Sequence, residues 1–313
     1  MPALRFATLQ PGTPPPRVAP MQSPTEAATS RGILLLLSSL LLFTAMDALA
    51  KGLIQTYPTT QVIWARFAGQ VLLVLLLVNR RLPVVARTRH PWLHLLRSAA
   101  QMGATAFFFL SLAHIGLAEA TALADINPVL ITLGAAVFLG ERLGPRRIAG
   151  VLAAMAGAMI IIRPGADVFT PAALLPLGCA LCYAAAALLT RKVGMTESPW
   201  TSMLYGALFG MVVTTFLLPG LWQPVAPGDL WVFATIGCLG TAAQICLIRA
   251  FSMAEASVLA PFGYVGILLA TFWGIVLFDE WPDSLTLVGA AIIVASGLYI
   301  WHRETQLRRR SGS

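Results

Sequence analysis

An all-α membrane protein of ten transmembrane helices, arranged as two inverted five-helix repeats, is the fold class this sequence predicts, and three observations carry it. Of 313 residues, 58% are hydrophobic and only 11% charged, with a mean hydropathy of +0.78, a composition foreign to water-soluble domains. Ten apolar runs approach the roughly 20 residues a helix needs to cross the hydrocarbon core. Two stretches, ATALADINPVLITLGAAVFLGERLGPRR and ASVLAPFGYVGILLATFWGIVLFDEWPDS, share a pattern while the charges beside them reverse.

Residues 1–30 carry seven prolines and no apolar run, so they cannot bury enough surface to order themselves and are expected to form a disordered cytoplasmic tail. The first repeat, 31–164, holds predicted spans at 32–50, 60–78, 93–115, 120–140 and 148–162. Ala48 to Ala50 imitate a signal-peptide cleavage site, but Lys51 and the polytopic pattern beyond it favour a retained span. The fifth span is short, and snorkelling by Arg146, Arg147 and Arg163 lengthens it. The second repeat, 165–304, holds spans at 172–190, 201–218, 230–250, 257–278 and 284–301, followed by a basic cytoplasmic tail at 305–313.

Orientation follows from charge. With the N-terminus inside, 17 of the 21 Lys and Arg residues fall in inner segments, while Glu119, Asp167, Asp229, Asp279, Glu280 and Asp283 gather outside. The positive-inside rule therefore puts both termini in the cytoplasm of a multi-pass protein of the cell inner membrane. Trp92, Trp200, Trp222, Trp231, Trp281 and Trp301 stand near span ends, where an amphipathic indole sits well. The net charge of +8 is scattered between apolar runs rather than collected on a face, which argues against nucleic acid as a partner. Cys179, Cys182, Cys238 and Cys246 all lie in apolar runs, and neither a disulfide framework nor a metal-ligand set is legible. No cofactor is expected.

An odd number of spans per half forces opposite orientations, and the loops agree. ERLGPRR carries three arginines where its counterpart DEWPDS carries three acids, and the loop with Arg80, Arg81, Arg87 and Arg89 answers the base-free PGLWQPVAPGD. Inverted repeats of this kind are the architecture of secondary transporters, with the site near mid-membrane between the halves.

Ionisable and polar groups inside spans are the candidate site residues. Asp47 and Lys51 lie four apart on one helix face and can pair with each other. Arg66, two residues after Trp64, can neutralise Asp47 or Asp125 or meet an anionic substrate group. Arg97 lies near an inner span end, where snorkelling suffices. Asp125, Asn127 and Pro128 are the densest polar cluster; Pro128 lacks an N–H and leaves a carbonyl near Ala124 open towards a cavity. Gln101, Gln244 and Tyr264 offer hydrogen bonds either to substrate or between helices. Phe107, Phe108, Phe109 and Trp273 supply aromatic faces. Gly206-x-x-x-Gly210 and Gly150-x-x-x-Ala154 permit close helix approach, within one bundle or across a homodimer.

The sequence resembles the drug/metabolite transporter superfamily, in its EamA-type two-domain group. The resemblance rests on ATALADINPVLITLGAAVFLGERL and VLAPFGYVGILLATFWGIVLFDEW and covers nearly all of 32–304. It departs in one respect: with Glu141 aligned to Glu280, Ile267 stands where Pro128 has its counterpart, and Pro261 comes six residues earlier. The helix break is therefore expected at different depths in the two halves. The resemblance implies a small-molecule substrate drawn from amino acids, nucleotide sugars, S-adenosylmethionine, vitamins such as riboflavin, and drugs.

A secondary transporter working by alternating access is the leading functional reading. Riboflavin uptake comes first, then S-adenosylmethionine uptake, then amino-acid or drug export. Asp47 and Asp125 are the acids placed to carry a coupling proton. A membrane-embedded enzyme would need a nucleophile with a base or a metal cluster, neither of which is convincing, and a non-transport assembly or sensor protein is the remaining class.

Overall fold

The structure is a computed structural model that describes residues 26–139, 145–163, 170–193, 198–254 and 256–311. Its first half holds α1 (Glu26–Ile54), α2 (Thr59–Val78), a one-turn α3 (Leu82–Val85), α4 (Pro91–Leu112), α5 (Leu117–Ala124), α6 (Asn127–Leu139) and α7 (Pro145–Ile162). The second half holds α8 (Leu175–Val193), α9 (Pro199–Leu217), α10 (Leu230–Met253), α11 (Ala256–Gly263), α12 (Val265–Phe278) and α13 (Ser284–Ser311). Every regular element among the described residues is helical, as an apolar solvent demands of a backbone that must satisfy its own hydrogen bonds.

Helix boundaries have local causes. Pro91, Pro145 and Pro199 begin α4, α7 and α9, where the missing N–H would have had no partner. The Ser198 hydroxyl caps α9 by accepting from the Trp200 N–H at 3.3 Å. Asp279 closes α12 in the left-handed conformation, φ 55. Among the described residues, eight helices are long and apolar enough to cross a membrane. The count falls short of ten because the expected span 120–140 is divided between α5 and α6, and α7 offers only the apolar stretch Ile148–Ile162. At the ends, α1 already begins at Glu26 and α13 runs on to Ser311, because neither flank contains the Gly or Pro that would stop an established helix. Residues 1–25 of the expected N-terminal tail lie outside the described residues.

The halves interlock rather than stand side by side. When α1, α2, α4, α5–α6 and α7 are exchanged for α8, α9, α10, α11–α12 and α13, the helix packing maps onto itself. Thus α1 on α10 answers α8 on α4, α2 on α10 answers α9 on α4, and α1 on α12 answers α8 on α6, while α2–α9 and α7–α13 pair with themselves.

Bare backbone makes the tightest crossings. A Cβ on Gly69 of α2 would stand 2.7 Å from the Gly237 Cα of α10, and one on Gly157 of α7 would stand 2.8 Å from the Gly289 carbonyl of α13. The small-residue spacings read from the sequence serve the same purpose: Gly150 faces Ile300 and Gly210 faces the Phe67 ring, both inside this chain.

Candidate functional site

One helix in each half is interrupted, α5–α6 in the first and α11–α12 in the second. In the first, Pro128 has no N–H for the Ala124 carbonyl, and the chain tightens through Ile126 N–H to Leu123 O at 3.4 Å before α6 resumes. Asp125 sits at this break with its carboxylate free of hydrogen bonds among the described residues. In the second, α11 stops after Gly263 and α12 restarts past Tyr264. Pro261 lies inside α11, not at the interruption. With Glu141 aligned to Glu280, Asp125 falls opposite Tyr264, so the two breaks occupy equivalent positions. The expectation of different depths, drawn from the prolines, is thereby corrected. Gly263 weakens the helix there through its backbone entropy, and the Tyr264 hydroxyl fills the space a side chain at Gly297 would occupy.

Around the breaks lies a set of polar groups from both halves. Tyr264 is within electrostatic reach of Asp125. Cys179 of α8 is within reach of Asp47, Asp125 and Arg66, and Tyr183, one turn on, of Asp125 and Arg97. Arg66 of α2 is fixed by a hydrogen bond from Nη1 to the Thr105 hydroxyl of α4 at 2.6 Å and by the rings of Phe67 and Phe109 at 5.3 and 5.7 Å. A charge-assisted bond of this kind is worth about 1.5–3 kcal/mol. Its Nε is buried with no acceptor. Asp47 of α1 and Arg66 feel each other's field without forming an ion pair.

The predicted site residues therefore divide. Asp47 stands within electrostatic reach of Arg66, and Tyr264 of Asp125. Gln101 of α4, Asn127 of α6 and Gln244 of α10 are half-buried, and their side chains make no hydrogen bond to those four among the described residues. Trp64 turns towards α9, donating Nε1–H to the Thr215 hydroxyl at 2.9 Å with its ring edge-on to Trp222 at 5.7 Å. Arg97 donates to the Thr190 hydroxyl at 2.7 Å and the Ser202 carbonyl at 3.0 Å, tying α4 to α8 and α9. Thr105, Cys179 and Tyr183 stand near these groups without being marked by the sequence. Thr105 and Tyr183 carry no local pattern that separates them from ordinary span residues, and Cys179 reads as a small apolar filler.

Lys51 does not pair with Asp47. Its ammonium contacts Glu280 Oε1 at 2.5 Å, donates to the Ile115 carbonyl at 2.7 Å and lies 5.5 Å from the Phe278 ring centre. Glu280 in turn accepts from the Leu117 N–H at 3.0 Å, and Arg163 pairs with Asp283. The end of α1, the α4–α5 and α12–α13 connections and the end of α7 are thus fastened at one end of the bundle. A cavity of about 520 Å³ opens there, lined by residues including His114, Glu119, Arg163, Asp279 and Asp283. The Arg163 guanidinium, with help from Thr286, holds the Asp283 carboxyl down at about 2.

Comparison with known proteins agrees with this architecture. The EamA-like transporter family matches twice, over residues 30–163 and 170–301. The chain is 31% identical to the pseudopaline exporter CntI of Pseudomonas aeruginosa strain UCBPP-PA14, covering 85% of this chain and 94% of that one. It is 34% identical to a riboflavin transporter of Rhizobium johnstonii, covering 74% and 77%. An S-adenosylmethionine uptake transporter of Rickettsia bellii is 26% identical, covering 88% and 94%. A solved crystal structure superposes with a TM-score of 0.60 at 23% identity, over 91% of this chain and 99% of the other, which speaks for the fold alone. Matched in both halves, and aligned with relatives along most of its length, the chain belongs to the EamA-like transporter family.

Proposed function

We propose that this protein is a ten-span secondary transporter of the cell inner membrane, with both termini in the cytoplasm, that moves a small organic metabolite by alternating access. The observation that carries the reading is the pair of helix breaks, at Asp125 in one half and at Tyr264 in the other, with Tyr264 within electrostatic reach of Asp125. Broken helices at the interface of two repeats offer backbone and side-chain polar groups to a cargo where lipid cannot, and rocking of the halves exposes them to each side in turn. A broken fourth span and a short fifth one, α7, are compatible with ten crossings beside the eight long helices.

Riboflavin is the first cargo to assay, since several relatives at 26–34% identity carry that name. S-adenosylmethionine is the second, and the unpaired opposite charges of Asp47 and Arg66 favour it. Uptake by purified protein in liposomes, across a panel that includes both, tests the reading. Flux that never exceeds that of empty liposomes refutes it.

A further inference from the structure

We propose that Arg66 and Asp47 together receive the amino-carboxylate head of a zwitterionic cargo, the carboxylate on the Arg66 guanidinium and the ammonium on Asp47. This deepens the transporter reading and rests on it.

The argument starts from the guanidinium's geometry. Arg66 Nη1 is committed to Thr105, which turns the remaining edge, Nε with Nη2, away from that bond. This edge is the fork that takes a carboxylate through two parallel hydrogen bonds. Nε is buried without an acceptor, and Nη2 makes no hydrogen bond among the described residues. Gly240 of α10 lies beside Nε: a Cβ there would stand 3.8 Å from it and 2.8 Å from the Met46 Sδ of α1.

The second part is the opposite charge. Asp47 makes no hydrogen bond or ion pair among the described residues, yet Arg66 is the cation whose field it feels. Two opposite charges in an apolar interior gain strongly by closing to contact. Here Thr105 and the rings of Phe67 and Phe109 hold the arginine back from the aspartate. A simple anion placed between them would face Asp47, and a simple cation would face Arg66. A zwitterionic head satisfies both. A further buried donor without an acceptor, Trp273 Nε1, packs on the same core of Met46, Phe109 and Ala270.

Full-length protein in detergent is tested by thermal stabilisation with the standard L-amino acids, S-adenosylmethionine, methylthioadenosine and riboflavin. Methylthioadenosine shares the nucleoside of S-adenosylmethionine but lacks the head, and riboflavin has no such head. At least one head-bearing compound is expected to stabilise the protein, and methylthioadenosine is not. Arg66→Lys keeps the charge but loses the fork, and Asp47→Asn keeps the shape but loses the charge; each should weaken binding about tenfold. Arg66→Gln serves as a second variant if Arg66→Lys elutes as aggregate.

The proposal is overturned if no head-bearing compound stabilises the protein, if methylthioadenosine binds as tightly as S-adenosylmethionine, or if a well-folded Arg66 variant binds unchanged. Riboflavin uptake in liposomes without binding of any head-bearing compound sinks the proposal and leaves the transporter reading standing. No uptake and no binding sinks both.

Discussion

Cutting the bond between Lys51 and Glu280 should destabilise the protein unequally, depending on which partner is removed. The Lys51 side chain is 5% exposed and the Glu280 side chain 31%. Removing one partner of a fully buried pair costs about 3–5 kcal/mol, because the other charge is left stranded. Glu280→Gln strands the lysine, which keeps only the Ile115 carbonyl and the Phe278 face, so the cost should stay near the lower end of that range, about 3 kcal/mol. Lys51→Met strands a glutamate that water partly reaches and that still accepts from the Leu117 N–H, so about 2 kcal/mol is expected. Denaturation in detergent micelles of wild type, both single variants and the double variant measures the two costs and their coupling. A coupling of about 2 kcal/mol is expected, since the double variant removes both charges at once. Additivity within about 0.5 kcal/mol, or Lys51→Met costing more than Glu280→Gln, refutes the reasoning.

Four other outcomes follow from the geometry. Gly69→Ala should cost about 1–3 kcal/mol, because its methyl would press on the Gly237 backbone, whereas Gly52→Ala, with nothing within 4 Å, should be neutral or stabilising; thermal melts of the two variants compare them. Gly297→Ala should displace Tyr264 from its niche and raise the KM of the assayed cargo several-fold, and an unchanged KM would detach Tyr264 from the site. Because Arg163 depresses the Asp283 carboxyl, that interaction contributes stability above the ordinary aspartate value of 3.8 and loses it only as pH falls through about 2. Melts of wild type and Asp283→Asn should therefore differ by a constant amount from pH 7 to pH 5 and converge only in stronger acid. Finally, if a proton drives transport through a side chain, Asp47→Asn or Asp125→Asn abolishes accumulation in pH-gradient liposomes, and normal accumulation by both variants excludes those carboxyls.

The site was legible in proportion to how local its causes were. Pro128 announced its own interruption, because a missing N–H is a property of one residue. The break at Tyr264 was not announced: Pro261 drew attention to the wrong turn, and the break depends on Gly263 and on the room left by Gly297, which is distant in sequence. The i, i+4 spacing of Asp47 and Lys51 suggested a pair, yet a flexible lysine goes where acceptors and an opposite charge converge. That place is built by Ile115 of the α4–α5 connection and by Phe278 and Glu280 at the end of α12, distant in sequence from α1.

Apolar length and repeated pattern are summed along the chain, so the sequence by itself determined that this is a helical membrane protein with a duplicated plan, and its reversed loop charges are what predict that the halves are inverted. Which helices touch, that the halves interlock through α1–α10 and α4–α8, and that Arg66 binds Thr105 and stands off from Asp47 were decided only by the tertiary structure. The physical reason is that lipid selects the spans by the sum of their residues, whereas packing selects partners by the shape of single ones: a bare backbone at Gly69 or a hydroxyl at Thr105, each meaningful only opposite its neighbour.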